Sequence, residues 1–66
     1  MELLEEREWD ITVHGAKSPA RRKQCTWAAP CPNQATRSVL VLDAGAERWW
    51  AVCDHHYADS PVFRRP

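Results

Sequence analysis

Sixty-six residues make one domain, and a chain of that size hides only about 60% of the surface it exposes when unfolded, too little for a comfortable apolar core. Nine basic side chains balance nine acidic ones, and the pI is about 6.8, which argues against a dedicated nucleic-acid binder, where a pI above about 9 is expected. Three cysteines cannot pair off among themselves, which rules out a complete disulfide framework and favours metal ligation.

The charges are segregated along the chain. Residues 1–16 carry Glu2, Glu5, Glu6, Glu8 and Asp10 against Arg7, a net charge of −4, and the remainder carries +4. The opening Met-Glu-Leu-Leu-Glu-Glu-Arg-Glu lacks the apolar stretch of a secretory signal, and nothing approaches the length of a membrane span. The expected location is therefore a cytoplasm.

In chain order, residues 2–8 place Leu3 and Leu4 among good helix formers and predict a short helix or frayed turn, not stable without tertiary contacts. Trp9, Ile11 and Val13 alternate with Asp10, Thr12 and His14, the period of a half-buried strand over residues 9–14. Residues 1–15 thus read as an acidic arm. Residues 16–24, with Pro19 and no apolar period, read as a basic loop.

Cys25 and Cys31 follow at C-x5-C, and prolines 30 and 32 hold the chain around Cys31 out of helix, as a ligand-presenting turn requires. Trp27 lies inside this turn and is placed to shield a bound ion. Residues 36–52 read as a β-hairpin: Thr-Arg-Ser-Val-Leu-Val-Leu, a turn at Asp43–Glu47, then Arg-Trp-Trp-Ala-Val. Both faces of this hairpin are apolar, so at least three strands are expected. The return strand runs into Cys53, and Asp54–Asp59 is predicted to form one or two helical turns before Pro61. Cys53 and His56, at i and i+3, share one side of that turn. The spacing favours His56 over His55 as a ligand. Val62 and Phe63 can dock the tail 60–66 onto the body, with Arg64 and Arg65 in solvent; a disordered tail is the alternative.

Cys25, Cys31, Cys53 and His56 together are the sulfur and imidazole set of a four-coordinate zinc site, Cys3His. Such an ion adds roughly 10–16 kcal/mol of apparent binding free energy to the folded side, enough to decide whether so short a chain folds. A turn with two ligands, a hairpin, then a helix start with two ligands resembles a treble-clef zinc finger over Cys25 to Asp59. The usual first pair of that family is C-x2-C, and here it is C-x5-C. The chain also resembles small zinc-binding proteins of actinobacteria and their phages, which share a Cys…Pro-Cys, a β-rich middle and a Cys-Asp-x-His ending. The resemblance implies structural zinc and a binding role. The expected fold is a small zinc-stabilised α+β domain, with core 25–59, strand 9–14, hairpin 36–52 and helix 54–59.

Four protein ligands saturate zinc and leave no open position, so no enzyme and no small-molecule substrate are expected. The deaminase pattern of His-x-Glu with Pro-Cys-x-x-Cys and the redox pair Cys-x-x-Cys are both missing. Binding remains. The first reading is a protein-interaction module built on tryptophan and arginine, with Arg21, Arg22, Lys23, Arg37, Arg48 and Trp49 as candidate contacts. The second is a nucleic-acid-binding finger that sets the same cations, together with Arg64 and Arg65, on phosphates and stacks an exposed tryptophan on a base. No membrane contact is expected.

Overall fold

A computed structural model describes residues 1–28 and 31–63. Pro30, Arg64 and Arg65, singled out above, lie outside the described residues. The architecture is small α+β. Strand β1 (Glu2–Glu8) leads into 3-10 turns η1 (Ile11–Val13) and η2 (Pro19–Arg22). Strands β2 (Arg37–Asp43) and β3 (Ala46–Val52), helix α1 (Asp54–Asp59) and 3-10 turn η3 (Pro61–Phe63) complete it. The sheet is antiparallel in the order β1-β2-β3. The hairpin and α1 fall where the sequence predicts them.

The third strand does not. Residues 2–8, expected as helix, form β1, because β2 is apolar on both faces and offers an unpaired edge whose ladder stabilises a segment too short to hold a helix alone. Glu-Leu-Leu-Glu does not alternate, and a register shift between Leu3 and Glu5 absorbs the mismatch. Leu3 packs on the core while Leu4 is left exposed.

Residues 9–14, expected as strand, break from the sheet. The Asp10 carboxylate accepts hydrogen bonds from the Thr12 backbone N–H (2.9 Å) and hydroxyl (2.6 Å) and caps η1. This is local side-chain bonding outcompeting a ladder. The apolar alternation misleads here: Ile11 is exposed, whereas Trp9 is half-buried and His14 buried. The basic loop contains η2, capped by Ser18 and closed by Lys23 in the left-handed region at φ 64°.

A core forms on each face of the sheet. On one face, Val39, Val41 and Val52 pack with Phe63 of η3, surrounded by Leu3, Trp27, Trp50, Tyr57 and Val62. The tail therefore docks at Phe63. Glu6 falls on the same face, opposite Val39, and is satisfied there by the Tyr57 hydroxyl, which donates to it at 2.5 Å. On the other face Ala51 meets Ala20, Ala35 and Trp9, and the wholly buried Ser38 meets His14. Ala44 and Gly45, at φ 52° and 80°, form the two-residue turn between β2 and β3. Paired positive φ values match the right-handed twist of the strands.

Candidate metal centre

Local structure brings the three cysteines together from three places in the chain. Cys25 donates its N–H to the Asn33 carbonyl (3.2 Å), and a bridge between Gln24 and Gln34 draws the two arms of the C-x5-C excursion together. Thr26 clamps the excursion to β3: its N–H donates to the Ala51 carbonyl (2.8 Å), and its hydroxyl accepts from the Ala51 N–H (3.1 Å). Cys53 follows two residues later as the N-cap of α1. The helix then returns His56 over it, with the Tyr57 N–H on the Cys53 carbonyl at 2.9 Å.

The Cys25, Cys31 and Cys53 sulfurs and one His56 ring nitrogen all lie within 4.8 Å of one another. His56 Nδ1 stands 3.5, 3.6 and 3.3 Å from the sulfurs of Cys25, Cys31 and Cys53, and Cys31 and Cys53 sulfurs are 4.0 Å apart. A tetrahedral ion with the bond lengths of zinc, about 2.3 Å to sulfur and about 2.0–2.1 Å to nitrogen, separates its ligand atoms by about 3.8 Å (S···S) and about 3.6 Å (S···N). The donor set fits such an ion. All three cysteines are free thiols, and a sulfur separation of 4.0 Å is far beyond the roughly 2.05 Å of a disulfide.

Electrostatics also favour a cation. Burial pushes the Cys53 thiol up, but the His56 backbone N–H, the Asn33 amide (3.8 Å) and the neighbouring Cys25 and Cys31 more than offset it, bringing Cys53 down to about 6. At Cys31 the Asn33 backbone N–H favours the thiolate, but burial and the two neighbouring cysteines outweigh it and hold the thiol up. One thiolate is thus favoured while its neighbour resists a second negative charge. A divalent ion removes that conflict. The cysteines are buried, His56 is half-buried, and Trp27 packs across the cluster. His55 is exposed and stands outside the cluster.

Sequence reasoning missed the supports of the site. Asn33 reaches Cys53. Asp54 accepts from the Thr36 hydroxyl (2.6 Å) and pairs with Arg37 (3.1 Å), tying α1 to β2. The only signal for Asn33 was its place beside Pro32, and Thr36 carried none.

The six candidate contact residues do not form one patch. Arg37 is held by Asp54 and lies 3.9 Å from the Tyr57 ring centroid. Exposed Arg48 lies 5.9 Å from that of Trp50. By register these two arginines share the face of Val39 and Val41. Arg21, Arg22 and Lys23 are exposed on the opposite side, where Ala20 of η2 covers Ala51. Arg21 donates to the His14 carbonyl (3.3 Å), and the Lys23 ammonium lies 5.6 Å from the Trp9 ring centroid. Trp49 is half-buried beneath Arg7. None of the four tryptophans is fully exposed; Trp9, Trp27 and Trp50 pack against the cores.

Two shallow hollows, of about 250 and 300 Å³, are lined by residues of the β2–β3 turn and by Glu8, Trp9 and Lys23 among others. Neither is lined by a cysteine or His56. Among the described residues no helix is long and apolar enough to cross a membrane. No protein family, no curated protein and no solved structure matches the chain.

Proposed function

We propose that the chain holds one structural Zn2+ through Cys25, Cys31, Cys53 and His56 and acts, without catalysis, as a cytoplasmic accessory or regulatory protein that works by binding another protein. One observation carries this reading: three buried sulfurs and an imidazole nitrogen lie within 4.8 Å of one another, with the three sulfur–nitrogen distances close to the edge of a tetrahedral site. The order of ligand turn, hairpin and ligand-bearing helix supports a treble-clef-like arrangement. Four protein ligands leave no coordination position for water, which speaks for a structural ion. Native mass spectrometry of the chain from its own source tests the ion and the companion together. The expected result is one zinc per chain and a stoichiometric second protein; a bare monomeric chain overturns it.

A second reading, nucleic-acid binding, draws on the exposed Arg21, Arg22 and Lys23. Retention on heparin or labelled DNA that falls with salt supports it, and no salt-dependent binding at low ionic strength removes it.

A further inference from the structure

The face of the sheet that carries Ser38 and Ala51 is only half covered. Register sets its rows across β1, β2 and β3: Arg7–Ser38–Ala51, then Glu5–Leu40–Trp49, then Glu2–Leu42–Glu47. The first row lies under η1 and η2, through the Asp10 N–H on the Ser38 hydroxyl, His14 on Ser38 and Ala20 on Ala51. Arg7 lies over Trp49 in the second row; beyond it, the other two rows carry half-buried apolar side chains and exposed carboxylates. Leu40, Leu42 and Trp49 are half-buried and, among the described residues, belong to none of the core clusters. Glu2, Glu5 and Glu47 surround them, with Arg7 as the cation of the same face.

Arg7 shows which chemistry this face accepts. Its guanidinium sits 5.1 Å from the Trp49 ring centroid while pairing with Glu5 and with Asp10. One cation is thus held on an indole between two carboxylates. The surrounding acids still outnumber it, and their charge complements an apolar surface edged with cations.

We infer that Leu40, Leu42 and Trp49, ringed by Glu2, Glu5 and Glu47, dock a short amphipathic helix of another protein whose apolar side is flanked by lysine or arginine. The proposal rests on the protein-interaction reading above. Charge selects this occupant over a second copy of the chain, because opposing two copies would bring the like carboxylates of Glu2, Glu5 and Glu47 together. One helix, about 10–12 Å across, fits a sheet about 14 Å wide.

The test is an amide NMR titration of the metal-loaded full chain with two designed helices of about four turns. They share one leucine stripe, and their polar positions are lysine in one and glutamate in the other. The lysine helix should shift Leu40, Leu42 and the Trp49 amide and indole saturably. Glu47→Lys and Leu42→Ser should each weaken binding by about threefold to tenfold. Equal binding of both helices, shifts centred on residues 17–23, or no response to the lysine helix overturns the proposal. Concentration-dependent shifts of the same residues without peptide would give the face to a second copy and overturn it too. Such failures remove this face alone; the broader interaction reading is judged separately, by recovery of a stoichiometric companion from the source.

Discussion

Among the described residues, His14 and Ser38 are the buried polar side chains, with His14 Nε2 and Ser38 Oγ 2.8 Å apart. Burial lowers the His14 pKa, and the Asp10 carboxylate only partly opposes this. The unfolded chain therefore takes up the proton first as pH falls. The stability tied to neutral His14 is complete above about pH 6.5 and is lost below it, at no more than about 1.4 kcal/mol per pH unit. Denaturant midpoints measured from pH 7.5 to 5 should fall less steeply for His14→Gln than for the parent chain; parallel slopes would refute the assignment. Under the zinc reading, Cys53→Ser should remove both bound metal and the cooperative melt. His56→Ala should do nearly the same, and His55→Ala should cost well under 1 kcal/mol, as exposed substitutions do. Metal retained equally by both histidine variants would show that the imidazole is wrongly assigned.

At the scale of elements, the β2–β3 turn carries a local cost. Ala44 at φ 52° sits where a residue with a Cβ loses about 1–2 kcal/mol and where asparagine is tolerated better. Ala44→Asn should raise stability by roughly 0.5–1 kcal/mol, read as a higher melting temperature with metal content unchanged. The hairpin was legible because Val39–Leu42 and Trp49–Val52 are β-rich on either side of a glycine turn. The ligand helix was legible because Asp54 and Pro61 mark its ends. The N-terminal strand was not, since a segment with four glutamates and two adjacent leucines looks helical until an unpaired edge stands beside it. Residues 9–14 failed the other way. Their alternation was real, but Asp10 bonds Thr12 before any ladder can form. The four clustered side chains were legible by spacing; Asn33, Thr36 and Arg37, which brace them, depend on contacts that no local pattern announces.

Over the whole molecule, the sheet's larger core and the cysteine cluster meet at Trp27, which touches both. The two parts should consequently melt as one. Under the zinc reading, chelation by EDTA should abolish near-ultraviolet circular dichroism and the cooperative transition together, and returning Zn2+ should restore both. A sharp melt unmoved by EDTA would mean that the aromatic core holds the fold unaided.

Trp27 has one more property. Its indole N–H donates to Ser60 at 2.9 Å, and its rings meet Trp50 edge-on at 5.7 Å and Phe63 at 4.8 Å. An indole wedged between sulfur and aromatic neighbours is a built-in optical gauge. In a chain keeping Trp27 as its sole tryptophan, oxidation or alkylation of the thiols becomes visible as a change in emission colour, with no dye attached.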